Sequence, residues 1–166
     1  MSSNLNLEFS ISACSRQKRK NEIDKKDYHF LSVEEFKQHI TQDDFIEWEE
    51  VYENNYYGTL KSEANRIWNN NNVIIFDVDV IGGVNLKKYF GNSALSIFIE
   101  PPSIQVLKER LINRKTESES TLSQRLDKAK QELSYKNKFD AIIVNDKLET
   151  ACKEVKKIIL SFLSAT

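Results

Sequence analysis

The sequence predicts an open α/β fold, in which a parallel β-sheet is flanked by helices. Three short apolar runs, at 73–76, 95–99 and 141–144, are each followed by polar or proline residues. Runs of this kind are typical of parallel strands that are buried on both faces. Helical patterns follow all three runs, and this alternation favours helical crossovers. Ligands of such folds bind at the carboxyl ends of the strands.

The remaining elements follow from local patterns along the chain. The polar segment 15–26 predicts a loop, and Ser32 and Glu35 have the spacing of a capping box that begins a helix. Three strand-like segments, the last two paired as an aromatic-rich hairpin, are predicted at 8–12, 45–51 and 55–59. Helices are predicted at 60–68, 83–90, 103–113, 122–135 and 149–163.

Composition limits the class of protein. A chain of 166 residues with a net charge of −1 fits one domain and gives no general attraction to nucleic acid or membranes. Cys14 and Cys152 lack the spacing of a metal site, which favours a reducing compartment. The start of the chain lacks the apolar core of a signal peptide, and we therefore predict a cytoplasmic protein. The oligomeric state is left open.

Arginine is scarce in a chain that is rich in lysine. Only arginine offers a rigid fork for carboxylates and phosphates, so the few arginines are candidates for binding sites. Salt bridges on helices are an equally good interpretation of any one of them. The arginines are Arg16, Arg19, Arg66, Arg110, Arg114 and Arg125.

Two acidic motifs suggest chemistry. Asp77 and Asp79 follow the apolar run at 73–76, where one carboxylate could enter a ligand crevice and the other could face a strand or a metal. Acids of a surface turn, or the Asp-x-Asp metal site of a glycosyltransferase, remain alternatives. Glu47 lies between Ile46 and Trp48, so its side chain is expected on the opposite face of the strand from both.

Together these acids match the hydrogen-bonding edge of guanine. Guanine presents adjacent N1–H and N2–H donors, which Glu47 and Asp79 could accept, while Thr59 or Ser12 could serve the O6 or N7 acceptors. For Tyr57, packing within the hairpin is the alternative role. A phosphate could be enclosed by two arginines of one loop and two phenols, namely Arg16, Arg19, Tyr28 and Tyr57.

Read in order, several motifs strongly resemble the guanylate kinase family. They are SISACSRQKR, DYHF, FIEWEEVYENNYYGT, VIIFDVDVIGG, LSIFIEPPS, ERLINRKTES, QRLDKAKQEL and IIVNDKLE, from about Phe9 to the carboxyl end. The resemblance implies guanine contacts for Ser12, Glu47, Thr59 and Asp79, and phosphate contacts for Arg16, Arg19, Tyr28 and Tyr57. It also implies catalytic lid arginines at Arg114 and Arg125, an acid near the metal at Asp77, and an adenine-side residue at Asn145.

The resemblance further implies transfer of phosphate from ATP to GMP, with Mg²⁺ accompanying ATP and held only indirectly by Asp77. Residues 1–166 would then form one domain of the P-loop nucleoside monophosphate kinase type, with an inserted antiparallel GMP-binding subdomain at 13–68 and a helical lid at 110–137. Three positions depart from the family pattern: Lys18 replaces a proline, Lys115 replaces a glycine of the lid, and Ile81 replaces a glutamine that often follows the Asp-x-Asp pair.

A further departure concerns the phosphate loop of the family, Gly-x-x-x-x-Gly-Lys-Ser/Thr. The chain's glycines, Gly58, Gly82, Gly83 and Gly91, do not begin such a loop. We therefore expect the family's central first strand and its loop to be missing from a truncated or degraded copy, which would be inactive alone. The alternative is an inactive GMP-binding or protein-interaction module of the same family.

Overall fold

The structure, a computed structural model, describes residues 5–113 and 119–165, with the backbone alone for 119–121. The chain divides into two compact units, Met1–Tyr89 and Phe90–Thr166. The strands are β1 (Leu7–Phe9), β2 (Ala13–Cys14), β3 (His29–Phe30), β4 (Phe45–Tyr52), β5 (Asn55–Leu60), β6 (Val73–Ile75), β7 (Ile97–Glu100) and β8 (Ala141–Val144). The α-helices are α1 (Val33–Thr41), α2 (Lys61–Asn69), α3 (Val80–Phe90), α4 (Ile104–Asn113), α5 (Glu119–Leu133) and α6 (Leu148–Ala165).

The first unit contains a two-stranded parallel sheet of β1 and β6, as the apolar run at 73–76 predicted. The strand predicted at 8–12 is shorter than expected. β1 ends at Phe9, although the Ser10 N–H still donates to the Ile75 carbonyl; the Ile11 N–H points away from β6 and donates to a side chain of α2. Alternation of side chains identified the strand but not where its pairing ends.

A four-stranded sheet with the order β3-β2-β5-β4 fills the rest of the first unit. The predicted hairpin is confirmed, because β4 and β5 pair antiparallel with Glu47 opposite Thr59. β2 is antiparallel to β5 and parallel to β3, so one pairing of this sheet is parallel. Gly58 lies where β5 meets β4 closely: a Cβ there would come within 2.9 Å of the Glu47 carbonyl oxygen.

Aromatic packing holds α1 against this sheet. Phe36 of α1 is fully buried, and its ring stacks on Phe45 at 4.4 Å and on Tyr56 at 5.5 Å between centroids. The predicted capping box is confirmed, since the Ser32 hydroxyl accepts from the Glu35 N–H while the Glu35 carboxylate accepts from the Ser32 N–H. The cap fixes where the helix begins and therefore which face it turns toward the core.

Replacement of this cap should weaken the fold measurably. Ser32→Ala removes the acceptor for the Glu35 N–H, and we expect it to lower the free energy of unfolding by about 1 kcal/mol. Urea denaturation followed by circular dichroism measures the change. Thr41→Ala, at the other end of α1, is the control, because its hydroxyl donates only to the Lys37 carbonyl within the helix. Equal effects of the two changes would contradict the capping role.

A buried ionic network joins α2 to the strands around it. The Glu63 carboxylate is 5% exposed, and it accepts from the Ile11 N–H at 2.9 Å and from Arg66 Nε and Nη2 at 2.9 and 2.8 Å. Arg66 Nη1 continues to Glu8 of β1, whose other oxygen accepts from Asn72 at 2.6 Å. Arg66 therefore has a structural role, which was the alternative interpretation of each arginine.

The second unit contains the parallel pair β7 and β8, which confirms the other two predicted strands. Phe98 and Ile143 are buried, and Phe98 contacts the Phe139 ring edge-on at 5.3 Å. The expectation that these strands are buried on both faces is wrong. Ile99, Ile142 and Val144 alternate with the buried positions and are exposed, because successive strand residues point to opposite faces. Among the described residues, no helix is long and apolar enough to cross a membrane.

Candidate functional site

An acidic pocket, formed by Glu47, Thr59, Asp79 and Gly82, lies in the first unit. Glu47 of β4 is 8% exposed, whereas the neighbouring Trp48 is 42% exposed, so the predicted orientation of the Glu47 side chain is confirmed. The Thr59 hydroxyl on β5 donates to Glu47 Oε1 at 2.8 Å. The antiparallel register therefore orients one carboxylate oxygen and leaves Oε2 to face the rest of the pocket.

Gly82, in the first turn of α3, brings the second acid to the same place. Its N–H donates to Asp79 Oδ1 at 2.9 Å. A Cβ at Gly82 would lie 3.0 Å from Glu47 Oε2 and 3.3 Å from Asp79 Oδ1, so both carboxylates pack closely against Gly82, where a side chain would be crowded. Asp79 itself lies beyond the end of β6, in the segment that leads into α3.

The electrostatics of the acidic pocket favour a ligand that donates hydrogen bonds. Burial raises the pKa of Glu47 above its ordinary value; the Thr59 hydrogen bond opposes this shift, and the charge of Asp79 adds to it. A carboxylate that is desolvated beside a second acid gains most from N–H donors brought by a ligand. Two adjacent donors on one edge of a base would satisfy this arrangement.

An arginine–tyrosine cluster, formed by Arg16, Arg19, Tyr28 and Tyr57, also lies in the first unit. Arg16 Nε donates to the Tyr57 hydroxyl at 3.1 Å, and the Arg16 guanidinium lies 4.9 Å from the centre of the Tyr28 ring. The rings of Tyr28 and Tyr57 meet edge-on at 6.1 Å between centroids. The structure thus brings together three of the four residues that the sequence predicted for a phosphate site.

Arg19, the fourth residue of the arginine–tyrosine cluster, and Asp77, the acid predicted near the metal, lie beside the other three residues. The Arg19 side chain is 66% exposed and reaches 3.9 Å from the same carboxylate that binds Arg16, that of Glu22. Burial raises the pKa of Tyr28; the charge of Tyr57 also raises it, Arg16 lowers it, and Asp77 is a further charge that raises it. Asp77 is therefore near the cluster, in the segment after β6.

Ser12 lies in the connection between β1 and β2. Its carbonyl oxygen accepts from the His29 N–H at 2.9 Å, which extends the pairing of β2 and β3 by one bond. This bond fixes the backbone at Ser12, and a role of its hydroxyl at a purine stays a prediction.

Comparison with known proteins gives the family of the chain. A sequence model described as guanylate kinase matches residues 2–162. The chain is 50% identical over 160 residues to a guanylate kinase of Porphyromonas gingivalis, covering 96% of this chain and 85% of that protein. It is 49% identical over 159 residues to a guanylate kinase of Bacteroides fragilis, covering 96% of this chain and 78% of that protein.

The chain belongs to the guanylate kinase family. A crystal structure of guanylate kinase from Anaplasma phagocytophilum agrees in fold, with a TM-score of 0.79 and 28% identity over 94% of this chain and 76% of that one. The resemblance and the fold class that the sequence predicted are thereby confirmed, and the chain is a member of a family of nucleoside monophosphate kinases. The bounds 13–68 and 110–137 for a GMP-binding subdomain and a lid stay predictions.

The second unit carries the residues that the family resemblance places on the ATP side. Asn145 follows β8, and its N–H donates to the Glu100 carbonyl at 2.8 Å. Arg110 of α4 holds the same turn, donating to the carbonyls of Asn145 and Asp146 at 2.8 and 3.1 Å. Arg125 lies on α5 and is partly buried, and Arg114 lies outside the described residues.

Sequence reasoning missed three residues that shape these sites: Glu22, Gly82 as a contact of both acids, and Arg110 as a clamp on the turn after β8. The pair Gly82-Gly83 at the start of a predicted helix was a usable signal, since glycine is unfavourable inside helices and marks close approaches. Glu22 gave no such signal, because one acid in a charged loop is ordinary.

Proposed function

We propose that this chain binds GMP, with the base in the acidic pocket and the phosphate on the arginine–tyrosine cluster. Glu47 and Asp79 accept the N1–H and N2–H donors of guanine, and Arg16, Arg19, Tyr28 and Tyr57 enclose the phosphate. The observation that carries the proposal is the buried Glu47 carboxylate, which Thr59 orients and which lies with the Asp79 carboxylate against Gly82. Ser12 is assigned to the purine as well.

The reaction proposed for the complete catalytic machinery is transfer of the γ-phosphate of ATP to GMP, giving ADP and GDP, within purine nucleotide metabolism. Arg114 and Arg125 would neutralise the phosphates during transfer, and Asn145 would lie beside the adenine of ATP. In phosphoryl transfer, protein groups act mainly by positioning and by stabilising charge. Membership of the family supports this assignment.

A divalent ion, Mg²⁺, would accompany ATP. Among the described residues no group of three or more histidines, cysteines and acids could hold a metal by itself. Mg²⁺ is usually bound through one or two carboxylates together with substrate phosphates. Asp77, near the arginine–tyrosine cluster, is the carboxylate that would orient water around the ion, and the ion itself would neutralise phosphate charge.

Ligand selectivity tests the proposal directly. In calorimetric titrations of the full chain, GMP should bind about 100-fold or more tightly than AMP, because AMP lacks both donors and each charge-assisted bond contributes about 1.5–3 kcal/mol. IMP, which lacks only the 2-amino donor, should fall between them. Equal affinities for GMP and AMP would refute the assignment of the acidic pocket.

The affinity for the base should also depend on pH. Only the ionised carboxylate of Glu47 accepts two donors, and its pKa is raised by burial. Binding should therefore weaken as the pH falls through this raised pKa, and a proton should be released on binding in that range. Guanosine is the ligand to use, since it has no phosphate to titrate. A flat pH profile in the wild type, or a sloping one retained in Glu47→Gln, would contradict the prediction.

Turnover distinguishes the enzyme from the alternative, an inactive module that binds GMP or a partner protein. The chain's glycines do not begin a Gly-x-x-x-x-Gly-Lys loop, which in P-loop kinases cradles the ATP phosphates. We therefore propose that these 166 residues alone release negligible ADP in a coupled assay with ATP and GMP. Measurable GMP-dependent release would show that other residues replace the cradle. The cytoplasmic location stays a prediction.

A further inference from the structure

Glu22 lies between the two arginines of the arginine–tyrosine cluster. Its carboxylate pairs fork to fork with Arg16, with 2.6 Å from Nη1 to Oε2 and 2.6 Å from Nη2 to Oε1. Both side chains are mostly buried, 13% exposed for Arg16 and 16% for Glu22. The pairing lowers the pKa of Glu22 to about 2. The Arg16–Glu22 ion pair therefore lies where the proposed ligand group, a phosphate, is also an anion.

The pair restricts what Arg16 can offer to a ligand. A guanidinium has five N–H donors. In the structure Nε donates to Tyr57, Nη1 to Glu22 and to the Gln17 carbonyl, and Nη2 to Glu22. The second N–H of Nη2 is left, and in a planar guanidinium it points the same way as Nε–H. The edge of Arg16 that remains for a phosphate is therefore the one next to the Tyr57 hydroxyl.

The position of Glu22 does not depend on Arg16 alone. Its Oε2 also accepts from the Arg19 N–H at 2.8 Å, and its own N–H donates to the Arg19 carbonyl at 3.1 Å. Glu22 thus closes the turn that carries Arg19 while it holds the fork of Arg16. On the other side, the rings of Tyr28 and Phe30 lie 4.9 and 5.5 Å from the Arg16 guanidinium. A carboxylate held by backbone bonds can stay in place when an anion arrives.

We propose that Glu22 is a positioning residue for phosphate binding: it stays paired with Arg16 when GMP is bound and aims the Nε/Nη2 edge of Arg16, together with the turn of Arg19, at the phosphate. The inference rests on the proposed function. It opposes the simple electrostatic expectation, in which a nearby acid repels the phosphate and its removal strengthens binding. The two views predict opposite signs for the same substitution.

The experiment compares GMP with guanosine, because the ratio of their dissociation constants isolates the phosphate. In calorimetric titrations of the full chain, Glu22→Gln should reduce this ratio about tenfold, the equivalent of one charge-assisted hydrogen bond, while the affinity for guanosine is unchanged. Glu22→Asp keeps the carboxylate and should restore part of the ratio. Asp27→Asn is the matched control: it removes one charge from the same loop, and its side chain accepts only from the Ile23 N–H.

The possible outcomes separate the positioning role of Glu22 from the proposed function. An unchanged or increased ratio in Glu22→Gln, with GMP still bound by the wild type, overturns the positioning role but not the proposed function. Absence of GMP binding by the wild type overturns the proposed function itself. If Glu22→Gln fails to fold, a carbon-13 titration of the wild-type Glu22 carboxyl with GMP bound decides instead. A pKa that stays near 2 supports a persisting pair, and a rise toward the ordinary value of 4.5 shows displacement by the phosphate.

Discussion

Glu47→Gln is expected to weaken GMP binding about 100-fold and to leave AMP binding no weaker, so that selectivity for guanine is lost. The Thr59 hydroxyl can donate to the amide oxygen of the glutamine or accept from its NH₂ group, so in either orientation one acceptor of the carboxylate is replaced by a donor. With the amide oxygen at Thr59, the NH₂ group takes the place of Oε2, beside Asp79. The glutamine NH₂ group cannot accept from the N1–H and N2–H donors of guanine, whereas N1 of adenine could accept a hydrogen bond from it.

Calorimetric titration of GMP and AMP against both proteins measures this change of selectivity. Glu50→Gln is the matched control, since Glu50 lies on the same strand, is exposed, and bonds to the Asn54 N–H in the turn of the hairpin. The control should leave both affinities unchanged. Retention of the wild-type preference for GMP in Glu47→Gln would remove Glu47 from base recognition.

Glu63→Ala is expected to lower the free energy of unfolding by about 3 kcal/mol. The change leaves the partly buried Ile11 N–H without its acceptor and removes the carboxylate that Arg66 holds with two bonds. Arg66 is 43% exposed and keeps its bond to Glu8, so its charge is partly solvated, and the loss should be at the lower end for a broken buried pair.

Urea denaturation monitored by tryptophan fluorescence measures this loss of stability, with Asn65→Ala, an exposed change on the same helix, as the control.

The pH dependence of stability on the acid side provides a second measurement. The pKa of Glu63 is lowered: burial raises it, but the Arg66 and Ile11 hydrogen bonds outweigh burial. Its stabilisation is therefore present above its ordinary pKa and lost as the pH falls through the lowered value. In the urea experiment, a decrease of less than about 1 kcal/mol in the free energy of unfolding of Glu63→Ala would contradict a structural role for the network.

Local sequence patterns were sufficient for the family and for most of the elements, though not for the short strands β2 and β3. The capping box at Ser32 and Glu35, the hairpin of β4 and β5, and the three apolar strands are short-range features, so they could be identified without tertiary information. The orientation of Glu47 followed in the same way from the alternation of side chains along a strand.

Other features depended on contacts between distant segments. The acceptor of the Ile11 N–H is Glu63, 52 residues further along the chain, which no local pattern indicates. The exposed face of β7 and β8 could not be predicted, because an apolar run does not say how many of its faces are covered. The partner of the Arg16 fork was equally hidden, since many acids in the chain could have filled that place.

The sequence by itself determined that this chain has the elements, the arginines and the paired acids of a guanylate kinase family member, because those features are written in neighbouring residues. Only the tertiary structure decided that Glu47 and Asp79 both pack against Gly82, and that Glu22 occupies the fork of Arg16. The physical reason is that residue type fixes which bonds a group can form, whereas the folded backbone decides which groups come within hydrogen-bonding distance.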